Sequence, residues 1–165
     1  MVKKAVLGAL HITVMMFMIL MAVKAFGQIL SFSGASQGLV EFATGLPLAP
    51  ILILIMMQAV ILFMGTFLEV ASIIMIILPL FMPIAVTLGF DQVWFIVIFA
   101  LNLEMATTTP PFGLSLFVMK GVAPPGTTMG DVYRAGLPFL GCDLIAMVLI
   151  IAFPAIALWL PGLMR

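Results

Sequence analysis

The chain has 165 residues, of which 65% are hydrophobic and only 7% are charged, and its formal net charge at pH 7 is zero. Soluble domains carry roughly a quarter of charged residues, so this composition excludes a water-facing globular surface and indicates an integral membrane protein. The zero net charge gives no basis for nucleic-acid binding, and one cysteine and one histidine cannot build a disulfide or a histidine-based metal cluster within these residues.

The first predicted element is a membrane-spanning helix over residues 5–26. The start "MVKKAVLGAL" has the basic and then apolar pattern of a signal peptide. However, the apolar run continues to Phe26, about the length that spans a bilayer, and Lys24 lies where small residues mark a cleavage site. We therefore expect an uncleaved helix, followed over residues 28–49 by a short amphipathic arm.

Residues 51–89 are apolar almost throughout and must fold back. As one helix they would be about 58 Å long, roughly twice the thickness of the hydrocarbon core. The only polar cluster is "MGTFLEVAS" in the middle. Two interpretations stay open, namely two spanning helices joined by a tight loop, or a re-entrant hairpin over residues 51–88 with its tip at membrane depth.

Residues 91–122 are predicted to form a discontinuous helix. Asp91 can cap its start, and the run "NLEMATTTPPFG" interrupts it. Each of the two prolines lacks a backbone N–H and clashes with the preceding turn, whereas Gly113 relaxes the backbone before "LSLFVMK" resumes. The structural alternative is a tolerated proline in a continuous helix, where a nearby threonine hydrogen-bonds the carbonyl that the proline leaves free. A double proline after three threonines goes beyond what that alternative requires.

An interrupted helix inside a bilayer favours a functional site. Unpaired backbone groups cost several kcal/mol each in hydrocarbon, so they persist only beside protein or a water-filled cavity. The carbonyl end of the first half and the hydroxyls of Thr107, Thr108 and Thr109 suit Na⁺, and the N-terminal end of the second half suits an anion. This chemistry is typical of the central site of a secondary transporter.

Other polar residues give weaker predictions. Glu69 and Glu104 are intramembrane carboxylates, hence candidate ion ligands, proton carriers or braces, and we favour bracing for Glu104. Asn102 is expected to hydrogen-bond across helices. Thr128 and Asp131 fit a capping box, which predicts a surface helix over residues 128–136 before a last spanning helix over residues 137–160.

Three other protein classes were weighed. An intramembrane protease is not expected, because "GCD" offers an aspartate without a matching second one, and "SFSG" lacks the glycine that should precede a serine nucleophile. A channel also uses broken helices. A structural or channel-type membrane subunit therefore stays as the alternative to a transporter.

Three stretches resemble the C-terminal part of the large membrane subunit of the tripartite ATP-independent periplasmic (TRAP) transporters: "LFMGTFLEVASIIMIILPLFMPIAVTLGF", "NLEMATTTPPFGLSLFVMKGVAP" and "GDVYRAGLPFLGCDLIAMVLIIAFPAIALWLP". The resemblance implies an all-α integral membrane fold with spanning helices, a re-entrant helical hairpin and a discontinuous helix, as one repeat of an inverted-repeat transporter. It implies Na⁺-coupled uptake of small organic acids, such as C4-dicarboxylates, with no cofactor besides the coupling ion. The implied partners are a small membrane subunit and a periplasmic substrate-binding protein, in the bacterial inner membrane.

The resemblance also implies which residues form the site. Carried over by position, the Na⁺ ligands are Gly65, Thr66, Ala106, Thr109 and Phe112. The substrate carboxylate is expected near both interruptions, with lining candidates Thr107, Thr108, Pro110, Gly113 and Ser115. The supporting candidates are Glu69, Ser72, Asn102 and Glu104.

Length sets a final expectation. The family has two repeats and this chain has room for one, so the partner repeat is missing here. We expect a truncated gene product, half of a split subunit or a fragment. Because the binding site of such a fold lies between the repeats, we also expect that this chain alone does not transport.

Overall fold

The computed structural model describes residues 2–111 and 113–164, and every regular element in those two ranges is an α-helix. The all-helical expectation is therefore confirmed for the described residues. The helices are α1 Val2–Phe32, α2 Ala35–Gly45, α3 Pro50–Gly65, α4 Val70–Thr87, α5 Gln92–Thr108, α6 Leu114–Val122, α7 Met129–Ala152 and α8 Ala155–Leu163.

Helices α3 and α4 form a helical hairpin. Pro50 lies in the first turn of α3, where backbone N–H groups have no acceptor within the helix, so its lack of an N–H costs no hydrogen bond. The turn occupies residues 66–69, and the carboxylate of Glu69 caps α4 by accepting from the backbone N–H of Ser72 at 3.3 Å. With 16 residues, α3 is about 24 Å long, shorter than the roughly 30 Å of a hydrocarbon core.

The predicted interruption separates α5 from α6. The carboxylate of Asp91 caps α5 as predicted, accepting from the N–H groups of Val93 at 2.8 Å and Trp94 at 3.1 Å. The helix ends at Thr108, and α6 begins at Leu114. The peptide bond between Pro110 and Pro111 is cis. Residues 109–113 thus join two short helices.

The centre of the molecule is the contact of α3 and α4 with α5. Here α3 packs chiefly against α5, while α7 covers another side of α5 and α2 lies on α4. Apolar side chains fill this core because they alone can be buried here without a hydrogen-bond partner. The most deeply buried are Leu54, Ile61, Ile73, Ile84, Phe95 and Ile98.

The N-terminal part differs from the predicted boundaries. Helix α1 continues beyond residue 26 to Phe32, and the predicted arm over residues 28–49 is divided between the end of α1 and α2. Gly27 does not end α1, since one glycine inside a helix costs only about 1 kcal/mol. Instead Gly34 separates the helices, with a φ of 73° that a side chain would disfavour.

The C-terminal part also differs from the prediction. The capping box of Thr128 and Asp131 is confirmed, but no boundary follows at residue 136, and α7 runs without interruption to Ala152. Pro138 lies inside α7. It removes one backbone hydrogen bond, and the remaining backbone hydrogen bonds of α7 keep the helix continuous. The chain breaks instead at Pro154, which opens α8.

Two of the described helices, Val70–Thr87 and Met129–Ala152, are long and apolar enough to cross a membrane. Large apolar side chains are exposed on most helices. On α7, for example, Phe139 is 70% exposed and Ile145 is 62% exposed. Such a surface requires a lipid or protein neighbour, because water would not solvate it favourably.

Candidate functional site

The end of α3, next to the hairpin turn, lies directly against the last turn of α5. A Cβ atom built on Gly65, the last residue of α3, would lie 2.3 Å from the Cβ of Ala106 in the last turn of α5. Real Cβ atoms do not approach so closely, so only glycine fits at position 65 while this packing holds. Two of the predicted Na⁺ ligands, which are distant in sequence, are therefore neighbours in space.

The double proline frees two carbonyl groups at the end of α5. Pro110 and Pro111 are the residues whose N–H groups would normally pair with the carbonyls of Ala106 and Thr107, and neither has one. The carbonyl of Ala106 accepts instead from the backbone N–H of Thr109 at 3.3 Å, a long hydrogen bond. This carbonyl retains a lone pair for another donor or for a cation.

Gly113 closes the interruption by folding back onto α5. A Cβ atom built on it would lie 2.5 Å from the carbonyl oxygen of Thr107 and 2.9 Å from that of Thr109. Its backbone N–H donates to the carbonyl of Thr109 at 3.1 Å. Residue 113 must be glycine because the backbone itself would obstruct a side chain. Two backbone oxygens are consequently held close together at the start of α6.

The three threonine hydroxyls all donate to the last turn of α5. Thr107 donates to the carbonyl of Glu104 at 2.9 Å, and Thr108 and Thr109 donate to the carbonyl of Met105 at 3.0 and 2.7 Å. The carbonyls of Glu104 and Met105 are therefore already engaged by hydroxyl donors. Since the hydroxyl protons are engaged, each oxygen keeps its lone pairs for a cation or a donor.

Thr66 has a similar arrangement on the hairpin. Its hydroxyl donates to the carbonyl of Phe63 at 2.8 Å, and the residue is buried. It directly follows Gly65, the residue of the hairpin that contacts Ala106 of α5. The predicted ligand Phe112 lies outside the described residues.

The supporting candidates have distinct positions. Glu69 is the N-terminal cap of α4, and its carboxylate also lies 3.4 Å from the hydroxyl of Ser72. Glu104 is exposed on α5, and its carboxylate has no hydrogen-bond partner within the described ranges, so the preference for a bracing role there has no support. Only its backbone carbonyl is used, as the acceptor for Thr107.

Asn102 makes the predicted hydrogen bonds across helices. Its side-chain Nδ2 donates to the backbone carbonyl of Gln58 at 2.7 Å and to the side-chain Oε1 of Gln58 at 2.8 Å. Both residues are buried, and the Nε2 of Gln58 is a buried polar atom without a partner among the described residues. The pair joins α3 to α5.

A cavity of about 440 Å³ lies beside the interruption, between α6 and α7. Thr108 and Ser115, two of the predicted substrate-lining residues, contribute to its wall. Most of the other lining residues are apolar, and the charged one is Asp131. An acidic and apolar wall does not match an organic anion, so within the described residues this cavity is a poor substrate site.

Residues 1–156 match the family model described as "Tripartite ATP-independent periplasmic transporter, DctM component". The chain belongs to this family.

Curated relatives of the DctM family extend beyond this chain. It is 34% identical over 159 residues to the C4-dicarboxylate TRAP transporter large permease protein DctM of Pseudomonas aeruginosa, covering 96% of this chain and 37% of the relative. It is 31% identical to the protein of the same name from Vibrio cholerae, covering 98% of this chain and 35% of that relative. It is 30% identical to the sialic acid TRAP transporter permease protein SiaT of Haemophilus influenzae, covering 94% of this chain and 25% of that relative.

The chain thus spans about a third or less of the length of these TRAP permeases. Two different substrate classes, C4-dicarboxylates and sialic acid, occur in the names of relatives at similar identity. Overall similarity to a TRAP permease therefore does not distinguish the substrate.

Sequence reasoning missed three residues that stabilise this part of the TRAP permease. The hydroxyl of Tyr133 donates to the carbonyl of Pro111 in the interruption at 2.9 Å. The indole Nε1 of Trp94 donates to the carbonyl of Ile150 at 2.8 Å. Gln58 could have been noticed, because it is a polar side chain inside the apolar run "PILILIMMQAVILFM", and intramembrane polar groups need partners.

Proposed function

We propose that these residues are part of the large permease of a TRAP transporter that uses a Na⁺ gradient to take up a small organic acid. The substrate is a C4-dicarboxylate or a similar carboxylate, delivered by a periplasmic binding protein. A small membrane subunit accompanies the permease in the bacterial inner membrane. Family membership supports this proposal, together with the named activities of the relatives.

The observation that carries the proposal is the contact of Gly65 with Ala106. A hairpin turn and a helix interruption are the two places where a membrane protein has backbone groups outside regular helical pairing. Here they meet. The oxygen atoms of both segments can then surround one cation, which neither segment could enclose alone.

The proposed Na⁺ ligands are neutral oxygens from both segments. The carbonyl of Ala106 lacks its normal helical donor. The hydroxyl protons of Thr66 and Thr109 are used in hydrogen bonds to backbone carbonyls, so the lone pairs of these oxygens are available to a cation. Hard cations prefer such oxygen ligands. A monovalent ion also needs no full counter-charge, so Glu69 is free to act as a helix cap.

The proposed substrate contact is the start of α6. Its first N–H groups and positive dipole end favour a carboxylate. The close approach of Gly113 to the carbonyls of Thr107 and Thr109 brings this helix end beside the proposed Na⁺ ligands. Binding of the cation would then raise the affinity for the anion through their mutual attraction.

The proposed fold of the whole permease has two inverted repeats, of which this chain supplies one. The hairpin α3–α4 is proposed to be re-entrant. In an inverted-repeat transporter the substrate lies at the interface of the repeats. The described residues therefore form one wall of the site, and we expect no transport by this chain without the remainder of the large subunit.

The test is uptake by proteoliposomes that contain the complete large subunit including this chain, the small subunit and the binding protein. We expect an inward Na⁺ gradient to drive accumulation of a labelled C4-dicarboxylate above its external concentration, and a K⁺ gradient to drive none. The variant Thr109→Val removes a proposed ligand oxygen. It should raise the half-saturating Na⁺ concentration about tenfold, equivalent to about 1.4 kcal/mol.

Thr109→Ser is the matched control, since it keeps the hydroxyl and should stay within about twofold of the unmodified protein. Accumulation that is independent of Na⁺ would contradict the coupling proposal. Equilibration without accumulation would instead favour the channel alternative, in which the interruption lines a passive path.

A further inference from the structure

The Gln58–Asn102 amide pair links the hairpin to the interrupted helix at a fixed register. Asn102 donates to two oxygens of one residue, the backbone carbonyl and the side-chain Oε1 of Gln58, at 2.7 and 2.8 Å. Asn102 is 2% exposed and Gln58 is 6% exposed. Water does not compete for these hydrogen bonds, so both helices are constrained where the bonds form.

The direction of the hydrogen bonds follows from the chemistry of the acceptors. A backbone carbonyl can only accept, so Asn102 must present its NH₂ group to Gln58. Gln58 must then turn its Oε1 towards the same NH₂ group, which leaves its Nε2 without a partner among the described residues. The pair is therefore asymmetric. A slip of α3 along α5 by one residue, about 1.5 Å, would move both acceptors away together.

The pair lies close to the proposed cation site on both helices. On α5, Asn102 precedes Ala106 by about one helical turn, and on α3, Gln58 precedes Gly65 by about two turns. Between them, Ile61 is fully buried and Leu103 is 3% exposed, so the intervening contact is tightly packed. A change of register at the pair is therefore transmitted to the contact of Gly65 with Ala106.

We propose that Gln58 and Asn102 are positioning residues for the cation site. They touch no ion themselves. They hold the first arm of the hairpin on α5 at the register that brings the oxygens of both segments together. This inference rests on the proposed function, since it assumes that the cation binds between the hairpin turn and the interruption.

The test compares three variants of the complete transporter by Na⁺-dependent uptake in proteoliposomes. Asn102→Leu removes both hydrogen bonds and should raise the half-saturating Na⁺ concentration about tenfold, with the maximal rate at saturating Na⁺ largely kept. Gln58→Met removes only the side-chain acceptor and should give an intermediate rise of about threefold. Gln92→Leu, which changes an exposed amide at the start of the same helix, should match the unmodified protein.

A second readout is independent of transport. Na⁺ titrations of the melting temperature of the purified transporter in detergent should show the same order of half-saturating concentrations. If Asn102→Leu does not assemble, Gln58→Met tests the proposal, because it keeps the bond to the backbone carbonyl. A lower melting temperature with an unchanged Na⁺ response would reduce the pair to a structural role and overturn the inference. If uptake by the unmodified transporter does not depend on Na⁺, the proposed function itself is refuted.

Discussion

Single residues decide how closely the hairpin and the interrupted helix approach. Gly65 and Gly113 are both held where a Cβ atom would meet Cβ or backbone atoms of α5 within 2.5 Å. Gly141 has no such neighbour within 4 Å, although all three residues are glycines in apolar surroundings. Gly65 and Gly113 differ from Gly141 because backbone or Cβ atoms, which cannot move aside easily, occupy the space that a side chain would need.

The substitution Gly65→Ala should destabilise the protein. The new methyl group would overlap with Ala106, and such overpacking typically costs about 1–3 kcal/mol. Adding Ala106→Gly to the same protein should restore part of the stability, because it removes the opposing methyl group. The measurement is the midpoint of thermal unfolding in detergent.

Gly141→Ala is the control for this prediction. It lies in α7 with open space around it, and it should leave the midpoint unchanged or raise it, since alanine is the better helix former. A Gly65→Ala protein as stable as the unmodified one would show that the two segments do not touch.

At the scale of helices, side chains of neighbouring helices pair two backbone carbonyls near prolines. The carbonyl of Ile150 lacks a helical donor because its partner would be Pro154, and Trp94 of α5 supplies the missing hydrogen bond. Pro111 lies in the interruption, and Tyr133 of α7 donates to its carbonyl. These two hydrogen bonds join α7 to α5 and to the interruption.

The substitution Trp94→Phe should weaken the packing of α5 against α7. It leaves the carbonyl of Ile150 unpaired, which we expect to cost about 1–3 kcal/mol. Trp159→Phe is the matched control, because Trp159 is 68% exposed and should lose little stability. Both are compared by thermal unfolding in detergent, and equal effects of the two substitutions would contradict the assigned role of Trp94.

At the scale of the whole molecule, the described residues form one small core with a largely apolar exterior. The core lies where α3, α4 and α5 meet, while α7 and α8 expose large apolar side chains. The chain covers 37% of its Pseudomonas aeruginosa relative. The exposed apolar surface therefore has two kinds of neighbour available, lipid and the remainder of a large permease.

The proposed re-entrant arrangement of α3 and α4 predicts how the hairpin turn reacts in a membrane. In a Cys142→Ser background, Leu68→Cys places a thiol at a turn residue that is 41% exposed in the isolated chain. In the complete transporter it should react with a membrane-impermeant maleimide about tenfold more slowly than Pro125→Cys, because protein and lipid surround the turn.

Pro125 is the appropriate reference because it lies in the polar loop between α6 and α7 and is also exposed. The reaction is followed with the reagent on each side of the membrane in turn. Rapid labelling of Leu68→Cys from one side, at the rate of the loop, would identify two ordinary spanning helices joined by a water-exposed turn.

The sequence alone determined the class of protein and the position of the interruption between α5 and α6. An apolar composition leaves no alternative to a membrane environment, and prolines and capping residues act locally through their own backbone chemistry. For this reason the ends of α5 and α6 and the caps at Asp91 and Thr128 could be predicted. The family resemblance likewise rests on local runs such as "TTTPPFG".

Only the tertiary structure decided which atoms of these local features are in contact. The contact of Gly65 with Ala106, the amide pair of Gln58 and Asn102 and the bond from Tyr133 all join segments far apart in the chain. Apolar helices in lipid have no strong sequence pattern that orients one face towards a given partner. Their pairing depends on close packing and on a few buried hydrogen bonds, which exist only once the helices are side by side.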